Sequence, residues 1–154
     1  MSLERQILTH AKQRGVLIAT AESCTGGMVA ARLTDPAGAS AIFDRGFVTY
    51  TNAAKIEQLG VSPDTLTQHG AVSEEVAQAM ATGARQASTA QIAVAITGIA
   101  GPGGSDHKPE GRVCFGLATP TSTHTETVEF NALGRKQVRE AATEHALRLI
   151  LSAL

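Results

Sequence analysis

Two short apolar runs without alternation constrain most strongly how this chain can fold. Residues 16–21 and 92–97 are almost entirely apolar and contain no charged side chain. A strand with one face in water alternates apolar and polar residues, so an unbroken run predicts a strand that is covered on both faces. Helices must then lie on both sides of the sheet that contains these strands.

The remaining segments supply those helices and complete the sheet. Helical spacing or helix-capping residues predict helices at 3–14, 25–33, 52–59, from 73 onward and near 138–153. We expect Asn52 to cap the third of these helices and Ser73 to cap the fourth. A further strand is predicted at 42–50, followed later by a hairpin of strands at 112–118 and 123–130 whose second, more polar strand lies at the sheet edge.

This pattern predicts an α/β fold over residues 1–154 as a single domain. We expect a three-layer α/β/α sandwich with a mixed, mostly parallel sheet of about five strands and one antiparallel hairpin strand. The length of 154 residues is sufficient for one core without disulfide bonds.

Composition excludes several classes of function. Thirteen basic and fourteen acidic residues give a net charge of −1, and there is no Trp, so a nucleic-acid binder is disfavoured. No apolar run is long enough for a membrane span, and the N-terminus lacks the pattern of a signal peptide. Two cysteines make no disulfide framework, and the five histidines have no metal-ligand spacing. We therefore expect a cytoplasmic protein without a metal site.

The first candidate site is the segment 21–27, which joins a buried strand to a helix. Ligands of open α/β sheets bind beyond the carboxyl ends of strands, and small residues there let backbone N–H groups approach an anion. Thr25, Gly26 and Gly27 are candidates to donate these N–H groups to an anion or a developing oxyanion. The same residues also fit a simple helix cap with glycines that permit close packing.

The second candidate site combines Tyr50, the only tyrosine, with Lys55. Lys55 falls in the first turn of a predicted helix, where the helix dipole disfavours a cation by about 0.3–1 kcal/mol. Two explanations stay open for that position. Lys55 has a function there, or it is a solvated surface lysine without a function.

The third candidate site is a glycine-rich loop that follows the second buried strand. Its glycines can direct several backbone N–H groups towards an anion, although a flexible crossover loop has the same composition. The loop matches neither a phosphate-binding Walker motif nor a dinucleotide fingerprint. Its candidate ligand-binding residues are Thr97, Gly98, Gly101, Gly103, Gly104 and Ser105. At the start of the last helix, Arg135, Lys136 and Arg139 form either a solvated face or a phosphate contact.

Together these segments resemble one family closely. The residues at 21–27, at 45–50 with Asn52 and Lys55, at 69–74 and at 97–102 are similar, in the same order, to motifs of the CinA C-terminal domain family. The resemblance extends over almost the whole chain. Its enzymatic members are nicotinamide mononucleotide deamidases, and this chain resembles the stand-alone form without the larger domain of two-domain CinA proteins.

The resemblance implies an amidohydrolase with Ser23 as nucleophile, Lys55 as base and Tyr50 as an assisting phenol. The implied reaction converts nicotinamide mononucleotide and water to nicotinate mononucleotide and ammonia, which recycles a pyridine nucleotide. It implies no metal or organic cofactor, a small-molecule nucleotide as partner rather than nucleic acid or membrane, and a homo-oligomer that is a dimer or larger.

This chemistry sets physical requirements on the fold. A lysine base needs a pKa near 8 rather than about 10.4, and burial is the effect large enough to lower it that far. We therefore expect Lys55 to be buried beside Ser23 and Tyr50. The glycine-rich loop is expected to hold the ribose or phosphate, with Arg139 as a weaker phosphate candidate.

Three alternatives differ from this assignment. Glu22, Cys24 and Lys55 are the residue types of a nitrilase-type amidase with Cys24 as nucleophile. A short-chain reductase also uses Ser, Tyr and Lys, but it needs Tyr and Lys four apart on one helix. The third alternative is a nucleotide-binding or interaction module of the same family that has no catalysis.

Overall fold

The computed structural model describes residues 1–105 and 107–154, and in these residues one five-stranded sheet lies between two layers of helices. The strands are β1 (Ile18–Glu22), β2 (Phe43–Val48), β3 (Ile92–Gly98), β4 (Arg112–Ala118) and β5 (Thr123–Glu129). The helices are α1 (Leu3–Arg14), α2 (Met28–Thr34), α3 (Asn52–Leu59), α4 (Pro63–His69), α5 (Glu74–Gln86) and α6 (Arg135–Ser152).

The sheet has the order β2-β1-β3-β4-β5, and its topology confirms the predicted mixed sheet. β1 pairs in parallel with β2 and β3, whereas β4 pairs antiparallel with both β3 and β5. Four strands therefore run in one direction and β4 alone runs in the other. As predicted, the second hairpin strand lies at an edge.

The two faces of the sheet carry side chains of different size. Large residues such as Ile18, Ile96 and Phe115 pack against α1, α2 and α6. The opposite face is rich in alanine, which lets α5 lie close to the strands, with α3 and α4 outside it. At Gly116 a Cβ atom would lie 2.5 Å from the carbonyl oxygen of Ala77 in α5, so the close approach requires glycine there.

Local signals explain most helix boundaries. Gly15 and Gly60 end α1 and α3 in left-handed conformations, and the Ser73 side chain caps α5, as predicted. The prediction of Asn52 as a cap is wrong by one residue, because the Thr51 hydroxyl accepts the N–H of Ala54 and Asn52 is already helical.

Two further boundaries differ from the prediction. The helix predicted from residue 25 begins only at Met28, because Gly26 and Gly27 have φ angles of 59° and 106°, outside the right-handed helical region. The short helix α4 is absent from the prediction, although Ser62 and Pro63 form an ordinary N-cap and first-turn pair at its start.

Helix length and hydropathy also bear on membrane insertion. Within the described part of the chain, no helix is both long enough and apolar enough to span a bilayer.

Candidate active site

The backbone of β1 delivers Ser23 to the carboxyl edge of the sheet. Strand β1 is central and wholly buried, and the pairing continues one residue beyond it, where the Ser23 N–H donates to the carbonyl of Ile96 at 2.9 Å. On the other side, the N–H of Thr49 donates to the carbonyl of Glu22 at 2.9 Å. Ser23 and the segment after β2 are therefore held side by side by ladder hydrogen bonds.

Helix α3 directs Lys55 into this junction. Its Nζ lies 2.9 Å from the Ser23 Oγ, 2.9 Å from the carbonyl oxygen of Thr49 and 3.2 Å from that of Tyr50. Lys55 is 1% exposed, and it is among the largest fully buried side chains of the described residues. This agrees with the expected burial of Lys55 beside Ser23, whereas its catalytic role stays a prediction.

These three contacts suit a neutral amine. A neutral lysine has two N–H donors and one lone pair, whereas the ammonium has three donors and no lone pair. When Lys55 is neutral, its two hydrogens can be taken by the carbonyls of Thr49 and Tyr50. The lone pair then faces the Ser23 hydroxyl, which is the arrangement in which an amine accepts a proton from serine.

Burial also adjusts the acidity of two neighbouring groups. It lowers the pKa of Lys55 to about 8, because an ammonium loses its hydration in the interior. The same cause raises the pKa of the Cys24 thiol to about 12, so this thiol stays protonated at neutral pH. Of these two groups, only Lys55 reaches its reactive form in the physiological range.

Glu22, the residue before Ser23, is a structural cap. It is fully buried, and its two carboxylate oxygens accept the N–H groups of Val29 and Ala30 at 2.9 and 3.0 Å. The carboxylate thereby satisfies free amides at the start of α2. Because both oxygens are used in this way, Glu22 is poorly placed to act as the base of a nitrilase-type amidase.

A cavity of about 330 Å³ opens beside Ser23, a size suited to a small-molecule ligand. Of the predicted site residues, nine line it: Ser23, Tyr50, Lys55, Thr97, Gly98, Gly101, Gly103, Gly104 and Ser105. Lys108 and Arg135 line it as well. Lys108 was not predicted, whereas for Arg135 the sequence left open a solvated face and a phosphate contact. The ends of β1, β2 and β3 thus meet the glycine-rich loop around one space.

Tyr50 contributes to the site in two ways. Its carbonyl oxygen contacts Lys55, and the Ser23 Oγ lies 3.4 Å from the same oxygen. Its phenol instead points to Arg135, whose guanidinium donates to the Tyr50 Oη at 3.0 Å. The residue as a whole is 56% exposed, so the phenol belongs to the outer part of the cavity.

The turn at residues 25–27 does not line the cavity. The Gly26 N–H donates to the carbonyl of Ser23 at 3.1 Å, and the Met28 N–H donates to that of Thr25 at 3.0 Å. The Gly26 amide is thus already occupied within the turn. Thr25 and Gly27 stay predicted oxyanion donors.

The glycine-rich loop offers fewer free amides than its composition predicts. The Gly103 N–H donates to the Glu110 carboxylate at 2.6 Å, and the Ser105 N–H donates to the carbonyl of Lys108 at 3.0 Å. Two of the expected anion donors therefore have partners within the protein. Thr97 is also engaged, since its hydroxyl donates to the carbonyl of Ala71 at 2.8 Å.

Arg139, the weaker phosphate candidate, lies outside the cavity lining. Its Nε donates to the carbonyl oxygen of Cys24 at 2.9 Å, directly after Ser23. This contact ties α6 to the turn that carries the serine. The position suits support of the Ser23 backbone better than contact with a ligand.

Metal ligands were not expected, and the described residues contain no group of three His, Cys, Asp or Glu side chains arranged to hold a metal ion.

Comparison with known proteins assigns the chain to a family. The family model of the CinA C-terminal domain matches residues 1–154. The chain belongs to the CinA C-terminal domain family. The nicotinamide-nucleotide amidohydrolase PncC of Escherichia coli strain K12 is 50% identical over 151 residues, which are 97% of this chain and 92% of that protein.

Longer relatives and solved structures agree with this assignment. A CinA-like protein of Syntrophobacter fumaroxidans is 47% identical over 153 residues, which are 99% of this chain and 36% of that protein. The crystal structure of the competence/damage inducible protein CihA from Agrobacterium tumefaciens superposes with a TM-score of 0.94 at 46% identity. That superposition covers 97% of this chain and 92% of the other.

Proposed function

We propose that this protein hydrolyses nicotinamide mononucleotide to nicotinate mononucleotide and ammonia, with Ser23 as nucleophile and Lys55 as base. One observation carries the mechanism: the buried Lys55 Nζ lies 2.9 Å from the Ser23 Oγ and is oriented by two backbone carbonyls. A serine hydroxyl becomes a useful nucleophile when an adjacent base takes its proton.

The class of enzyme rests on the close relative. The chain is a hydrolase that acts on a carboxamide C–N bond, since a protein 50% identical to it over 97% of its length is a nicotinamide-nucleotide amidohydrolase. The mononucleotide as substrate, and a role in recycling pyridine nucleotides, belong to the proposal.

The proposed reaction proceeds in two balanced steps. In the first, the Ser23 Oγ bonds to the carboxamide carbon while its proton passes to the Lys55 Nζ. The C–N bond then breaks, and the nitrogen leaves as ammonia with the proton that Lys55 returns. In the second step, water gives a proton to Lys55 and attacks the acyl-serine ester. The ester C–O bond then breaks, the nicotinate carboxyl is released, and Lys55 returns its proton to the Ser23 Oγ.

The acidity of Cys24 supports Ser23 over the neighbouring thiol. A cysteine attacks as its thiolate, and a pKa of about 12 leaves almost none of it at neutral pH. Cys24 also belongs to the buried hydrophobic core, although it borders the cavity as well. Both facts favour a structural role for Cys24.

Two matched substitutions test the nucleophile. We expect Ser23→Ala to keep its fold and to lower ammonia release from nicotinamide mononucleotide to the background rate. Cys24→Ala removes a neighbouring side chain of similar size and should retain most of the activity. Circular dichroism and thermal unfolding would confirm that both variants fold. Near-normal turnover by Ser23→Ala, together with loss of turnover in Cys24→Ala, would transfer the role to Cys24.

A further inference from the structure

The cavity beside Ser23 has a strongly one-sided charge. Among the described residues, Lys55, Lys108 and Arg135 line it and no carboxylate does. The chain as a whole has a net charge of −1, so this cationic lining is a local feature. A cavity lined by charges of one sign favours a ligand that carries the opposite charge.

Lys55 occupies the buried end of the cavity, and its partners exclude it from anion binding. Its amine already contacts Ser23, Thr49 and Tyr50, and it is 1% exposed. Its lowered pKa of about 8 also favours loss of the charge that an anion would need. Two cations are then left for a negatively charged ligand.

Lys108 is held rigidly on one wall. Its Nζ donates to the carbonyls of His69 at 2.7 Å and of Val72. An ammonium has three hydrogens, so a third donor has no partner among the described residues and can serve a ligand. The two carbonyl contacts do not neutralise the charge of Lys108.

Arg135 spans the exposed end of the same cavity. Its guanidinium donates to the carbonyl of Gly101 at 2.7 Å and to the Tyr50 Oη at 3.0 Å, and so links the glycine-rich loop to the segment after β2. An arginine has five N–H donors, so others have no partner in the part of the chain that the structure describes. Arg135 also sits in the first turn of α6, the end of a helix that disfavours a cation.

We propose that Arg135 and Lys108 bind the phosphate of the substrate and so select the nucleotide over the nucleoside, which lacks the phosphate and carries only the positive charge of the pyridinium ring. This inference rests on the proposed function, because it places the reacting carboxamide at the buried Lys55 end and the phosphate at the exposed Arg135 end. It replaces the Gly103 and Ser105 amides, which have partners inside the protein, and Arg139, which lies outside the cavity lining. Arginine binds phosphate with paired, charge-assisted hydrogen bonds.

The test measures binding in the Ser23→Ala background, in which no turnover interferes. Calorimetric titration would compare nicotinamide mononucleotide with nicotinamide riboside, which lacks only the phosphate. We expect Arg135→Gln to weaken mononucleotide binding about 10–100-fold, the usual size of a lost charge-assisted contact. Riboside binding should change less than about threefold, because the carboxamide end is untouched.

Three further variants test whether the lost positive charge is what weakens mononucleotide binding. Lys136→Gln removes a positive charge from the adjacent, highly exposed residue and should leave the affinity for both ligands unchanged. Arg135→Lys retains the charge and should recover part of the lost affinity. Lys108→Gln should weaken mononucleotide binding in the same selective way as Arg135→Gln.

Two results would overturn the phosphate assignment. One is unchanged mononucleotide affinity in Arg135→Gln. The other is an equal loss of affinity for the mononucleotide and the riboside in Arg135→Gln, which would show that Arg135 affects binding by holding Tyr50 or the glycine-rich loop in place. Ammonia release by the unsubstituted protein is measured separately. If the protein binds the mononucleotide through its phosphate but releases no ammonia, the proposed function is wrong and this inference stands. If it hydrolyses the mononucleotide but prefers it over the riboside equally well without Arg135, the proposed function stands and this inference is wrong.

Discussion

The acidity of a single side chain, Lys55, determines the pH range in which the proposed mechanism works. The base must be neutral to accept the Ser23 proton, and burial lowers its pKa to about 8. Below that pH, the neutral fraction falls tenfold for each unit. We expect kcat/KM for nicotinamide mononucleotide to rise about tenfold per unit towards pH 8 and then to level off. Ammonia release measured from pH 6 to pH 9.5 would show this, and a flat profile below pH 8 would contradict it.

Substitution of the same residue separates a base from a simple positive charge. Lys55→Ala should lower kcat about 10²–10⁴-fold, the usual contribution of a positioned general base. Lys55→Arg should be nearly as damaging, because a guanidinium stays protonated and cannot accept the serine proton. Both variants would be assayed at saturating substrate, with thermal unfolding to confirm the fold. Substantial activity in Lys55→Arg would make Lys55 a binding residue.

At the scale of an element, the start of α2 depends on the carboxylate of Glu22. Both oxygens accept amide hydrogens at this buried position. Glu22→Gln leaves one N–H facing an amide NH2 group, and an unsatisfied buried donor costs about 1–3 kcal/mol. We expect a lower unfolding temperature, whereas Glu57→Gln on the exposed side of α3 should leave it unchanged.

The same variant also tests the nitrilase-type alternative. In that alternative Glu22 is the base, and its loss would abolish turnover in molecules that remain folded. With Ser23 and Lys55 as the reacting pair, ammonia release per folded molecule should persist. Activity measured well below the unfolding temperature therefore distinguishes a cap from a catalytic carboxylate.

The sequence predicted some strands and helices better than others, and the extent to which each is buried explains most of the difference. Strands β1 and β3 are covered on both faces, so their unbroken apolar runs were sufficient evidence. Helix α4 has seven residues, of which only Leu66 is buried, so it has no periodicity to detect. The start of α2 was misplaced because Gly26 and Gly27 adopt positive φ angles, and because the cap comes from Glu22 on the preceding strand rather than from a local Ser or Thr.

At the scale of the whole molecule, the site shows what long-range packing adds. Ser23 and Lys55 were predicted through the family resemblance, because their local settings, a strand end and a first helical turn, also fit a helix cap and a solvated lysine. In the sequence, Lys108 has no distinguishing signal, and Arg135 fits a solvated face as well as a phosphate contact. Only the approach of the glycine-rich loop and α6 to the sheet edge brings them to one cavity. Arg135 carried the same signal as Lys55, a cation at the unfavourable end of a helix.

The buried amine of Lys55 should also affect how the free energy of unfolding of the whole protein depends on pH. Lys55 binds a proton up to about pH 10.4 when unfolded but only to about pH 8 when folded. Between these values the unfolded chain holds more protons, so stability rises with pH. Cys24 acts in the opposite direction, because burial raises the pKa of its thiol and the unfolded chain loses that proton first.

A variant that lacks only the amine isolates its contribution. Lys55→Met keeps a long side chain and retains Cys24, so the thiol contribution cancels in the comparison. From pH 7 to pH 9, the free energy of unfolding of the unsubstituted protein should gain about 1 kcal/mol relative to Lys55→Met, since one pKa unit corresponds to about 1.4 kcal/mol. Urea denaturation of both proteins at several pH values measures this difference. If the difference stays constant over that range, Lys55 is not held at a lowered pKa, and it would then be protonated at the pH where the enzyme is expected to work.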